Sequence, residues 1–441
     1  MSHATETHDM PARRIEAVGD GLRTAIIALI VVGAIAFVAA LLVDESRAWR
    51  AYYINWLFIT SIAQGGFMLA VVTSIAKGVW SRPIRRIALA HSAFLPIAFV
   101  AVLPILIFGA PHIWPWIDHP LQTGKEAWLN WPFLTARTLF GLALLFGVSL
   151  AFTYTALRPD MGLMRDRVPP RLQGMYGAFS RNWRGQEAEE LHAYRRLLVL
   201  GPAAALIYAL IMGVLAWDFV MSLEPKWFST LIGPYLFMGA ILGGAMTTAL
   251  ITIALRHRAG LGNWILPSTL HDLGKLCFGF TVFWGYMFFS QYIVIWYGLL
   301  SWEQEFIINR FVPPFRTIAQ LVAVLLFVVP FFGLMGVAAK RTPAVFATIA
   351  SISLLGLWLE RWLLVYPSLW IGAEDLPLSW PEPGLLLLFV GLYLAAISFF
   401  LTRVPTFQIW QPLSEIELQG IAVQERSMTG DLGGAGSRPE Q

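Results

Sequence analysis

Ten apolar runs recur along the chain, at 22–43, 54–76, 87–108, 131–157, 197–217, 232–255, 276–299, 315–338, 344–366 and 384–402. Each has about the 20 residues that a helix needs to cross a hydrocarbon core. Lipid offers the backbone no hydrogen-bond partners, so a spanning segment is either a helix or a strand of a closed barrel, and runs this long mean helices. The expected fold is therefore all-α, a polytopic membrane protein of ten transmembrane helices. Composition agrees, with 57% of the 441 residues hydrophobic and 13% charged. The 19 tryptophans, many where a run meets polar sequence, suit an aromatic belt at the two interfaces.

Lysine and arginine set the orientation. The loops 77–86, 158–196, 256–275 and 339–343 hold 17 of them, and the alternating loops 44–53, 109–130, 218–231, 300–314 and 367–383 hold 5. Basic loops stay in the cytoplasm, so the first set is expected there and, with ten spans, both termini as well. The expected layout is a polar N-terminus over 1–20, a membrane domain over 21–405 and a partly disordered tail over 406–441. The first run ends "LLVDESRAW" without an A-x-A-like site, so it is expected to be an uncleaved span. The location this implies is a membrane bordering the cytoplasm, crossed many times.

An ionised group inside a bilayer costs at least a few kcal/mol unless it is paired or wetted. Two groups of such residues stand out. Near the cytoplasmic side are His91 in the third span and His271, Asp272 and Lys275 at the start of the seventh, where Asp272 and Lys275 have pairing distance in sequence. Near the outer side are Arg137 in the fourth span, Asp218 at the end of the fifth, and Glu360 with Arg361 in the ninth. Gln64, Tyr286 and Gln291 are expected between them, at mid-membrane. Each has a plainer role open to it: Lys275 can snorkel, Asp272 can serve the helix dipole, and the amides can bond neighbouring helices. "GAILGG" at 239–244 reads as a close-packing face.

Several chemistries lack their residues. One cysteine, Cys277, forms no disulfide within the chain and ligates no iron–sulfur cluster. His91 is the single histidine well inside a span, and a bis-histidine haem needs two. Walker, kinase, G-x-S-x-G and H-E-x-x-H motifs are absent. The expectation is no cofactor held covalently or by metal ligation, and no nucleic-acid partner.

The segments "WDFVMSLEPKWFSTLIGPYLFMGAILGG" (217–244) and "LHDLGKLCFGFTVFWGYMFFSQYIVIWYGLLSWE" (270–303) resemble the ActF-type membrane subunit of bacterial alternative complex III, in the NrfD/PsrC superfamily. The resemblance covers the ten spans. It implies two four-helix bundles, spans two to five (54–217) and six to nine (232–366), with flanking helices. It also implies a place in a respiratory or photosynthetic quinol:cytochrome c, or other acceptor, oxidoreductase. The implied partners are an ActC-type paralogue, a periplasmic iron–sulfur subunit and multihaem cytochrome c subunits, which hold the haem c and the clusters, together with lipid. Quinone or menaquinone is the implied ligand. On this reading His91, His271, Asp272 and Lys275 line a cytoplasmic proton half-path, and Asp218, Arg137, Glu360 and Arg361 line a periplasmic one that is also close to quinone. The rival readings are a secondary transporter and an anchor subunit without chemistry.

Overall fold

Only one residue, Asp44, separates the first two spans, and it does two jobs. Its backbone is extended, which breaks the helix, and its side chain accepts a hydrogen bond from the Arg47 backbone N–H, which starts the next one. The computed structural model describes residues 14–118, 124–256, 261–370 and 375–410. Among them are ten helices long and apolar enough to cross a membrane: α1 (Asp20–Val43), α2 (Glu45–Ile75), α3 (Arg82–Ile113), α4 (Trp131–Arg167), α5 (Gln186–Leu223), α6 (Ile232–Arg256), α7 (Pro267–Gly298), α8 (Arg316–Met335), α9 (Pro343–Leu369) and α10 (Pro381–Leu401). No strand occurs among the described residues. Most of the expected polar N-terminus, and the tail after residue 410, lie outside them.

Several helices outrun their apolar stretches. Helix α2 starts at Glu45 and α5 at Gln186, and α4 continues to Arg167. Hydropathy marks the part that lipid touches, whereas a helix runs on until a cap stops it. The caps are visible. Asn130 accepts from the Phe133 N–H at the head of α4, and prolines occupy the first turns of α4, α7, α9 and α10. Helix α3 is not uniform, passing through a 3₁₀ turn at His91–Phe94 and a π turn at Ile105–Gly109.

The helices close two rings. In one, α2 packs on α3, α3 on α4, α4 on α5 and α5 on α2; in the other, α6 packs on α7, α7 on α8, α8 on α9 and α9 on α6. Helices α1 and α10 pair with each other, and α10 lies against α2 and α3. The rings meet chiefly along α2 and α6. Their backbones touch there. A Cβ on Gly65 would sit 1.9 Å from the Ala240 carbonyl oxygen, and one on Gly244 would sit 2.0 Å from the Gly66 nitrogen. Between helices in lipid, packing at this closeness supplies the attraction that water supplies in soluble cores. Helix α2 is accordingly buried over most of its length, whereas α1 is largely open to lipid.

The contact makes an asymmetric expectation. Gly244→Val forces the two backbones apart, and overpacking of this kind costs about 1–3 kcal/mol or more. Gly147→Ala, on an open face where an added Cβ meets nothing within 4 Å, gains up to ~1 kcal/mol from helix propensity. Thermal melting of the purified protein should show a lowered midpoint for the first and none for the second.

Candidate functional site

Two basic-acidic pairs occupy the outer half of the rings, on the side away from the lysine- and arginine-rich loops. Arg137 of α4 grips Asp218 of α5 with two parallel bonds, Nε to Oδ2 at 2.7 Å and a terminal nitrogen to Oδ1 at 2.5 Å. Its remaining terminal nitrogen donates to the Trp128 carbonyl at 2.7 Å, and the Trp128 ring lies 4.0 Å from the guanidinium. Both carboxylate oxygens are engaged and Asp218 is fully buried. A buried ion pair persists when its geometry is this good and its other hydrogen-bonding capacity is filled.

The second pair is less complete. Glu360 and Arg361 are neighbours on α9, both buried. Glu360 Oε2 accepts from Arg361 at 2.5 Å, and Arg361 also donates to the Leu236 carbonyl at 3.2 Å. Gly239 opposite leaves room for the guanidinium, which sits 3.1 Å from where a Cβ would be. Glu360 Oε1 and Arg361 Nε have no hydrogen bond of good geometry among the described residues, although the Tyr235 phenol stands beside Glu360. Glu360 borders a cavity of about 60 Å³ that Tyr235, Gln291 and Arg310 also line. At a water's ~30 Å³ share of liquid volume this space holds about two, and apart from the few polar groups named its lining is apolar.

A roof closes over this cavity. Arg310, on the short helix Ser301–Phe311, donates to Glu224 Oε1 at 3.1 Å, to Ser368 Oγ at 2.7 Å and to the Leu364 carbonyl at 2.8 Å. Its guanidinium lies 3.4 Å from the Phe306 ring, which stacks on Trp227 at 3.6 Å. Burial pushes the Arg310 guanidinium below its usual range, and Glu224 opposes that shift. Gln291 accepts from Ser229 at 2.5 Å. It lies about two turns from the outer end of α7. Tyr286 lies near the middle of α7, 59% exposed on the outer surface of the ring.

The lysine- and arginine-rich side differs more from expectation. Asp272 and Lys275 do pair, at 2.6 Å, but as an i,i+3 pair with the Lys275 side chain 58% exposed. The face they share is the outward one, so they do not line the ring interior. Half-buried His271 lies near Lys340, whose ammonium is tied to the Leu334 and Met335 carbonyls at 2.7 and 3.2 Å. Burial, with Lys275 nearby, pushes the Lys340 ammonium below its usual range. His91 is not part of this mouth. It lies nine residues into α3, fully buried, between Thr248 of α6 and Tyr393 of α10. The Thr248 hydroxyl donates to the Gly244 carbonyl at 2.8 Å, so its oxygen accepts from His91 Nε2 at 3.0 Å. Nδ1 then accepts from the Tyr393 hydroxyl at 2.6 Å. A neutral imidazole with its proton on Nε2 satisfies every group.

One polar column escaped the sequence reading. Ser149, Thr153 and Asp160 share the inward face of α4, at spacings of four and seven. Gln64 of α2 donates to Ser149 at 3.0 Å, and Thr153 donates to Ser92 of α3 at 3.0 Å. The column ends on Asp160, paired with Arg86 of α3, and both are fully buried. Asp160 Oδ1 also accepts the backbone N–H groups of Ile409 and Trp410 at 3.1 and 2.8 Å, so the carboxylate holds the segment beyond α10 over this end of the ring. The helical spacing of Ser149, Thr153 and Asp160 was the available signal. A further buried acid, Glu382, is met by Arg47, Tyr366 and the Ser379 N–H.

No group of three or more His, Cys, Asp or Glu among the described residues could hold a metal ion. No protein-family model matches the chain, and a search of curated proteins returns no match. The geometry therefore carries the functional reading alone beside the resemblance in its motifs.

Asp160→Asn keeps the shape and leaves Arg86 unneutralised in a buried site, which costs about 3–5 kcal/mol. Asp272→Asn breaks a pair that is largely in solvent, worth up to about 1 kcal/mol. Limited proteolysis should cut the 402–410 segment faster in the first variant alone.

Proposed function

We propose that this chain is a membrane subunit of a quinol:electron-acceptor oxidoreductase, of the kind its motifs resemble, and that its own part is to handle protons. The observation that carries the reading is the pair of buried carboxylates, Asp218 and Glu360, each backed by an arginine in the outer half of its ring. A quinol gives up two protons and two electrons when it is oxidised. Electrons need haem or iron–sulfur partners, which this reading assigns to other subunits. Protons need carboxylates, hydroxyls and water.

The residues divide that work. Glu360 offers an oxygen without a good hydrogen bond beside a cavity of about 60 Å³. Ligand pockets run to ~300 Å³ and more, so the space is too small for a quinone ring and takes about one or two waters held by Glu360 and its few polar neighbours. Glu360 Oε1 can exchange a proton with water there, while Arg361 holds Oε2. Asp218 has no free oxygen and takes a proton only if Arg137 lets go of one. In the first ring the hydroxyls of Ser149 and Thr153 stand between Asp218 and Asp160. From Arg137 to Ser149 is twelve residues along α4, about 18 Å. That interval keeps the two ends from forming a continuous charged wire, which would leak. A quinone site on this chain rests on the resemblance and belongs at its outer surface or at a boundary with a partner.

The test is to purify the chain from its native membrane with whatever accompanies it. Haem- and cluster-bearing subunits should co-purify and oxidise quinol. Glu360→Gln and Asp218→Asn should each slow that turnover at least tenfold in complexes that still assemble. Wild-type turnover by both variants at every pH would leave the chain an anchor. A lone chain that moves a solute across vesicles would make it a transporter.

A further inference from the structure

At the lysine- and arginine-rich face, an open groove of about 540 Å³ lies between α1 and α10. It takes no part in the buried pairs above. Four arginines line it: Arg14 just before α1, Arg23 in its first turn, Arg171 on the short helix Pro170–Phe179, and Arg403 just beyond α10. Glu16 is the one acidic residue lining it. None of the four guanidinium groups forms an ion pair with a described residue. Their hydrogen bonds go to carbonyls. Arg14 donates to Thr402 at 3.4 Å, Arg171 to Glu16 at 3.2 Å and Arg403 to Phe399 at 3.3 Å. Carbonyl partners aim a guanidinium without neutralising it, and the Arg23 side chain has no such partner among the described residues.

Below the arginines the groove turns apolar. Its wall includes Ile27 and Phe399, 52% and 56% exposed, and the Arg403 guanidinium sits 3.6 Å from the Phe399 ring. The apolar surface continues along α1 at helical spacing through exposed Val31, Ile35 and Val38. A cationic mouth above an apolar track matches the two parts of a phospholipid. A soluble anion would use the arginines and gain nothing from the track.

We propose that this groove is a binding site for an anionic phospholipid of the adjacent leaflet, its phosphate among Arg14, Arg23, Arg171 and Arg403 and its acyl chains along α1. Basic pockets between helix ends favour anionic headgroups through such charge excess. Guanidinium groups do so best, because their planar forks match phosphate oxygens.

Delipidated full-length protein in detergent tests this by thermal melting and native mass spectrometry. The additions are phosphatidylglycerol, phosphatidylcholine with the same chains, and inorganic phosphate. Phosphatidylglycerol should raise the midpoint and stay bound, and the other two should not. Arg23→Gln and Arg171→Gln should each weaken its binding about 5-fold, with Arg23→Lys retaining most of it. Arg23 is exposed, so its variants should fold. Equal stabilisation by phosphatidylcholine would mean unspecific solvation, and equal stabilisation by phosphate would mean a soluble-anion site. Unchanged phosphatidylglycerol binding in both Gln variants would place the lipid elsewhere. A midpoint blind to lipid but lowered by Glu415→Gln with Glu417→Gln would give the groove to the chain's own tail. Each of these four results overturns the proposal.

Discussion

The backbone contact between α2 and α6 is what the rest of the protein is arranged around. Glycines at Gly65, Gly66 and Gly244 let two helices approach until main-chain atoms touch. Each of those helices is the first of its ring, so the contact fixes how the rings face one another. It also sets the place of His91. A Cβ on Gly66 would fall 2.1 Å from the imidazole, so the ring fits only because that residue is glycine. From there His91 reaches Thr248 on the second ring and Tyr393 on α10, and ties three separate parts of the chain together. The glycines thus provide both the closeness that lipid-phase packing requires and the space for the polar link that registers it.

A low-dielectric interior sets a second constraint, and the protein meets it differently at each charge. Asp218 is fully engaged by Arg137 and stays closed. Asp160 is shared between Arg86 and two backbone N–H groups, so its charge serves to tether the segment beyond α10. Glu382 is surrounded by four donors from Arg47, Tyr366 and Ser379. Glu360 alone of these keeps an oxygen without a hydrogen bond of good geometry. Native interiors leave few buried polar atoms unpaired, and those that persist call for water, an ion or a chemical role.

The sequence made some of this plain and hid the rest for physical reasons. Ten spans were legible because apolar length is a property of local sequence and the bilayer has a fixed thickness. Helix ends were not, since caps such as Asp44 and Asn130 lie outside any hydropathy signal. The short distance from Asp272 to Lys275 was legible, because three residues along a helix fix it. Which face that pair occupies was not, since it depends on how α7 is rotated against α6 and α8. The same rotation put Tyr286 outside. His91 looked shallow because α3 begins at Arg82, among residues that count as loop by charge. Arg86 was read as one of those loop charges, and only its buried position beside Asp160 shows otherwise. Nothing local marked Glu224, whose role beneath Arg310 depends on a helix 86 residues away.

The two rings share a plan and differ in what they leave open. In the first, every polar atom of the outer carboxylate is occupied, and the polar groups beyond it are hydroxyls bonded to main-chain carbonyls as well as to each other. Such groups pass a proton only by giving up a bond each already has. In the second, the acid borders a small, mainly apolar cavity with room for about two waters, under an arginine roof drawn from a different part of the chain. Water that can reorient needs no bond to be broken within the protein first. On the proposed reading, that asymmetry favours Glu360 over Asp218 as the side chain that exchanges a proton.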